Sequence, residues 1–177
     1  MTAQPLIRRL CVIGVGLIGG SLARALRERG EVAEVVGAGR NEENLRAAVR
    51  LGVVDRYDTD PARAVIGADM VVVAVPLGAI EAVLRAIVPQ LSPDAVVTDV
   101  GSAKGSVVAD VERVYGQIPP NFVPGHPIAG TEKSGVEASF STLFQRRRVI
   151  LTPLAETAAF AHQLVKRMWE ITGAEVV

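Results

Sequence analysis

The stretch that most constrains this chain is Leu10-Cys11-Val12-Ile13-Gly14-Val15-Gly16-Leu17-Ile18-Gly19-Gly20-Ser21. A short apolar run ends in glycine, two more glycines follow at Gly-x-Gly-x-x-Gly spacing, and a helical pattern begins. That order predicts a strand, a tight turn and a helix N-terminus. Gly14 allows the turn, Gly16 lets a pyrophosphate approach the backbone, and Gly19 lets the helix pack closely on the strand. The first-turn N–H groups, at Leu17 and Ile18, and the positive end of the helix dipole then hold the phosphates. The plain alternative is a glycine-rich turn with no ligand.

Downstream, strand and helix patterns alternate. Leu17–Arg29 reads as a helix with Leu17, Ile18, Leu22, Ala25 and Leu26 on one face and Gly30 as its stop. Glu34–Ala38 is a second strand, and Asn41 is the N-cap of a helix whose buried face is Leu45, Ala48, Val49 and Leu51. Val53–Val54 is the candidate third strand, and Asp60-Pro61 opens a brief helix. Asp69–Val75 is nearly unbroken Val and Met, as expected of a central parallel strand buried on both faces, and Pro76 ends it. Ala79–Pro89, Lys104–Tyr115 and Glu156–Thr172 read as helices, with one or two short ones in Ser134–Phe144. Asp94–Val100, Asn121–Val123, Arg148–Leu151 and Ala174–Val177 read as strands. The alternation predicts an α/β, Rossmann-type doubly wound, mainly parallel sheet with helices on both faces, over residues 1–177 as one dinucleotide-binding domain.

Nineteen basic and nineteen acidic residues cancel, which argues against nucleic acid as the partner. The single Cys11 allows no internal disulfide and reads as a small buried hydrophobe, so the reducing cytoplasm is the expected compartment. No apolar run reaches the ~18–20 residues needed to cross a bilayer. Met1–Arg9 is too short and polar for a signal peptide. No metal site is expected.

A dinucleotide fold often carries an acid at the end of its second strand to bond the ribose hydroxyls. In Val35-Val36-Gly37-Ala38-Gly39-Arg40-Asn41, Gly39 stands where the acid would be and Arg40 follows. A guanidinium pairs with a 2′-phosphate, which a carboxylate would repel. NADP is therefore favoured over NAD, with Arg40 as a merely solvated loop residue the plain alternative.

Three later strand ends should open on the same edge. They carry Val75-Pro76, Asp99-Val100-Gly101-Ser102-Ala103-Lys104, and Gly125-His126-Pro127-Ile128-Ala129-Gly130-Thr131-Glu132. His126, in a loop between glycine and proline, is the side chain suited to proton exchange near neutral pH. His162 reads as a helix-packing residue, Asp99 as a turn-former, and Lys104 as a candidate ligand contact that capping surroundings and solvent explain equally well. Arg146, Arg147 and Arg148 read as a solvated turn, and Met168 and Trp169 as packing.

The glycine loop, the Asp99–Lys104 segment and Gly125-His126-Pro127-Ile128-Ala129-Gly130 together resemble the prephenate (or arogenate) dehydrogenases of tyrosine biosynthesis, over essentially the whole chain. The resemblance implies oxidative decarboxylation of a hydroxylated cyclohexadiene carboxylate, with hydride transfer to NADP or NAD. His126 is similar to the family histidine that takes the ring hydroxyl's proton, and Ser102 to the serine that orients it. Thr131 and Glu132 match a gating segment beside the substrate. Gly14, Gly16, Leu17, Ile18, Gly19, Arg40, Val75, Pro76 and Gly101 are the expected cofactor contacts. The family's helical second domain dimerises, completes the pocket and holds the arginine for the ring carboxylate. The apolar end Ala174-Glu175-Val176-Val177 is expected to lead into it, and the 177-residue stretch alone is expected to be poorly active. Two alternatives stay open: another NAD(P)-dependent reductase or β-hydroxyacid dehydrogenase, and a non-catalytic dinucleotide-binding module.

Overall fold

Strand β1 (Ile7–Ile13) sits at the middle of a six-stranded parallel sheet. In this computed structural model residues 3–177 are described; Met1 and Thr2, which begin the stretch read against a signal peptide, lie outside the described residues. The other strands are β2 (Val32–Ala38), β3 (Arg56–Asp58), β4 (Met70–Val73), β5 (Val96–Asp99) and β6 (Phe122–Val123), in the order β3-β2-β1-β4-β5-β6. Chain direction across the sheet reverses between β1 and β4, so the crossovers from their carboxyl ends diverge and leave a crevice.

Strands β4 and β5 and the carboxyl halves of β1 and β2 are buried on both faces, and side chains alternate between two cores. Leu10 and Val12 of β1, with Met70 and Val72 of β4, meet α1 (Leu17–Glu28), α2 (Glu42–Arg50) and α6 (Ala159–Ile171) through Leu22, Leu26, Leu45, Val165 and Trp169. Cys11 and Ile13, with Val71 and Val73, face α3 (Pro61–Ala64), α4 (Ile80–Ile87) and α5 (Lys104–Tyr115) through Ala64, Ile80, Leu84, Val107 and Val111. Burial pushes the Cys11 thiol up to about 12, so it packs as a hydrophobe. Met168 and Trp169 are fully buried, and Trp169 meets Phe144 edge-on with ring centroids 5.0 Å apart.

Two local expectations are corrected. Val53 and Val54 are buried but form no strand, because both amides donate to the Ala48 carbonyl at the end of α2; pairing with β2 begins at Arg56. On α2, Ala47 is buried with Leu45 and Ala48, while Val49 and Leu51 are exposed. A 3-10 turn at Val136–Ala138 packs on this helix and shifts its covered side. That turn is the only helical element in 134–144.

The chain also builds a second sheet that periodicity did not disclose. Here β7 (Gly125–Pro127) runs antiparallel to β8 (Arg148–Leu151), and β8 runs parallel to β9 (Glu175–Val176). His126 is therefore the central residue of a strand, paired with Ile150, and not a loop residue. Among the described residues no helix is long and apolar enough to cross a membrane.

Candidate functional site

The crevice between β1 and β4 is a cavity of about 850 Å³, and Gly14, Gly16, Gly39, Arg40, Val75 and Pro76 all line it. All of these but Gly39 are among the nine residues expected to contact a dinucleotide, so five of the nine line the cavity, and Leu17, Ile18, Gly19 and Gly101 do not. Gly14 and Gly19 have the turn and packing geometry that their spacing implies. Gly14 has φ +93°, and a Cβ there would lie 2.3 Å from the Ala74 carbonyl oxygen. A Cβ on Gly19 would lie 2.3 Å from the Gly14 carbonyl oxygen, so this glycine permits the helix to approach the turn, and it does not line the cavity. Around Gly16 the position of a Cβ meets no protein atom within 4 Å. The cradle that a side chain would fill is open at the one glycine where a pyrophosphate needs room. Gly16 is also the N-cap of α1, with no side-chain hydrogen bond across it and no acid in the first turn. The first-turn amides, including those of Leu17 and Ile18, are left for an anion. The residues present fit a nicotinamide dinucleotide.

The rim is polar and cationic. Arg40 is exposed and takes part in no ion pair among the described residues. Asp58, paired in register with Ala38 at the end of β2, is the carboxylate nearest that strand end in the pairing. Arg63 binds it through two nitrogens at 2.9 Å and holds its carboxyl below the usual carboxylate range. Several cleft residues were not anticipated: Asn41, Asn44, Leu45, Thr59, Pro61 and Val83. Asn44 also bonds the glycine loop, its side-chain amide donating to the Val15 carbonyl at 2.7 Å.

His126, Ser102, Thr131 and Glu132 do not line this cavity. His126 is half-buried on β7, which follows β6 after a single residue and packs against the carboxyl end of β5. There the buried Asp99 accepts from the Gly101 amide at 2.8 Å and the Gly125 amide at 3.1 Å. The turn-forming role read for Asp99 is present, but it is half of its work. Lys104 donates both to Asp99 and, at 2.7 Å, to the Gly125 carbonyl. Burial pulls the Lys104 ammonium below its usual range, and Asp99 opposes that pull. Solvent and capping therefore do not account for Lys104.

Ser102 is exposed in the turn between β5 and α5, with no hydrogen bond to His126 among the described residues. Gly101 is packed, since a Cβ there would meet Leu77 at 2.8 Å. Thr131 and Glu132 are exposed, and the Thr131 hydroxyl accepts from the Lys133 amide at 3.1 Å. Arg146, Arg147 and Arg148 are exposed, as read.

Comparison with known proteins agrees with this geometry. The chain is 37% identical over 171 residues to a cyclohexadienyl dehydrogenase of Zymomonas mobilis, covering 96% of this chain and 57% of that protein. Its fold matches the prephenate dehydrogenase of A. aeolicus in complex with hydroxyphenyl propionate and NAD+, with TM-score 0.88, 38% identity, all of this chain and 60% of that one. It also matches the arogenate dehydrogenase of Synechocystis, with TM-score 0.86, 30% identity, 96% of this chain and 58% of that one. The chain thus spans a little over half the length of these relatives. Residues 22–177 match the nucleotide-binding domain of prephenate dehydrogenase, and the chain belongs to the prephenate dehydrogenase family.

Proposed function

We propose that this chain is the dinucleotide-binding part of a dehydrogenase that oxidatively decarboxylates prephenate or arogenate, to 4-hydroxyphenylpyruvate or tyrosine respectively. The observation that carries the reading is the open cradle at Gly16 on the same sheet edge where β7 presents His126. When bound, a nicotinamide dinucleotide supplies the hydride acceptor. The α1 amides and Gly16 hold its pyrophosphate, and Arg40 faces a 2′-phosphate, which makes NADP the favoured form and NAD the second.

His126 accepts the proton of the ring hydroxyl, a role that requires its neutral imidazole at the start of the step. Ser102 orients the hydroxyl or the imidazole, and Thr131 and Glu132 border the substrate. Dimerisation and capture of the ring carboxylate belong in this reading to a helical domain of the full-length protein. The single buried Cys11 supports a reducing, cytoplasmic setting.

The test is a steady-state assay of the full-length protein with prephenate and arogenate against NAD and NADP, repeated on His126→Asn. Turnover of at least one substrate, reduced about a hundredfold or more in the folded variant, is expected for loss of a general base. Normal turnover by that variant overturns the role of His126. Tight dinucleotide binding with no turnover of either substrate favours a binding module.

A further inference from the structure

Two charged side chains outside the cleft converge on one glycine. Asp99 is 1% and Lys104 18% exposed at the side chain, so this is a largely dehydrated ion pair. Its bonds do not end on each other. One Asp99 oxygen accepts the Gly125 amide, the other accepts the Gly101 amide and the Lys104 ammonium, and that ammonium also donates to the Gly125 carbonyl. Both backbone polar groups of Gly125, the residue directly before His126, are thus bound by the pair.

The space around Gly125 is closed as well. A Cβ there would lie 3.1 Å from the Asp99 carbonyl oxygen and 3.2 Å from Leu151. The other end of β7 is held by pairing of Pro127 with Val149. Gly125 is therefore where β7 is fixed to the main sheet. The Asp99 carboxylate oxygen that accepts from Lys104 also accepts the Gly101 amide and so shapes the turn that carries Ser102.

We propose that Asp99 and Lys104 are positioning residues that set the place of His126 by holding both the amide and the carbonyl of Gly125. The proposal rests on the reading of His126 as the proton acceptor only for its effect on rate; the placement itself is independent of that reading. A buried ion pair is a costly way to stabilise a fold, since apolar residues of similar size often do as well. It is well suited to fixing backbone geometry. A side chain displaced by about 1 Å from a reacting atom can lose about a hundredfold in rate.

The experiment uses the full-length protein as Lys104→Met and as the double variant Asp99→Asn/Lys104→Met, which leaves no unpaired buried carboxylate and covers failure of the single variant to fold. Three quantities are read: dinucleotide Kd, kcat and KM, and the imidazole carbon–proton resonances of His126, identified by their loss in His126→Asn. The expected result is a shift of the His126 resonances, kcat lower by about tenfold or more, and dinucleotide Kd within about twofold of wild type. His126 resonances at their wild-type positions in a folded variant overturn the proposal, whatever the rate. So does a Kd that worsens as much as kcat, which marks general loosening of the domain. Should His126→Asn turn over normally, the reading of His126 falls while the resonances still decide the placement.

Discussion

The side-chain amide of Asn44 donates to the carbonyl oxygen of Val15 at 2.7 Å, tying helix α2 to the middle of the glycine-rich turn. The oxygen of the same side chain accepts from the Val136 amide at 3.1 Å, so the segment beyond β7 is fastened to the turn as well. Asn44 lines the cleft and was not anticipated, because nothing in its spacing separates it from any polar residue on an exposed helix face. Asn44→Ala leaves a carbonyl and an amide without their partner. It is expected to cost about 1–2 kcal/mol of stability and to weaken dinucleotide binding about three- to tenfold. Asn44→Asp keeps the acceptor for Val136 but sets a carboxylate against Val15 and the phosphate site, so binding should weaken further. Calorimetric titration with both variants checks this, and wild-type affinity in both would reduce Asn44 to a spacer.

The glycines separate folding from binding. Gly16→Ala puts a methyl into open cleft, so stability should stay within about 1 kcal/mol of wild type, the size of an N-cap change, while dinucleotide binding is lost. Gly19→Ala drives a methyl into backbone, 2.3 Å from the Gly14 carbonyl oxygen, and should cost about 2–3 kcal/mol. Denaturant titration paired with dinucleotide binding distinguishes the two. Equal destabilisation by both would contradict the assignment of Gly16 to the ligand and Gly19 to packing.

Much of this was legible because strand burial and helix amphipathicity impose periods that survive in the residues. The Met70–Val73 run and the Leu17–Glu28 pattern are examples. Two things were not legible. Strand β7 is three residues long, too short for a period, and its place in a sheet is set by pairing with β8. Lys104 reads as a helix-start cation, and only the fold brings Gly125 beside it. The cleft residues Gly14, Gly16 and Arg40 carried local signals. Asn44 and the Asp99–Lys104 pair depend on contacts 21–92 residues apart in the chain, which no local pattern encodes.

Arg40 gives the cofactor preference its test. It lines the cleft with no ion-pair partner among the described residues, so a 2′-phosphate would meet an uncommitted guanidinium. Arg40→Ala should weaken NADP(H) binding by about tenfold or more, the loss of a charge-assisted hydrogen bond, and leave NAD(H) within about twofold. Fluorescence titration with both reduced cofactors measures the pair of constants. Wild-type affinity for NAD(H) equal to or better than that for NADP(H), unchanged by the substitution, would remove the NADP preference.

Glu34, on the strand next to the edge of the sheet, gives stability a pH dependence. It sits on β2 opposite Arg9 in register and accepts from Arg9 at 2.5 Å and from Arg56 of β3 at 2.8 Å. Hydrogen bonds from Arg56 and then Arg9 hold its carboxyl below the usual carboxylate range. A carboxyl depressed in the folded state releases its proton more easily there than in the unfolded chain. Its stabilisation is therefore complete above the unfolded value of about 4.3 and is lost as pH falls through the lower folded value. The pair is partly solvated, so its worth is about 1 kcal/mol. Glu34→Gln should be less stable than wild type by that amount at pH 7, and the gap should close as pH falls well below 4.3. Salt near 1 M should narrow it at pH 7 by screening. Urea unfolding of both proteins across pH 3–7 reads the difference directly. A gap that persists at the acid end would assign the loss to packing of the Glu34 stem and not to its charge.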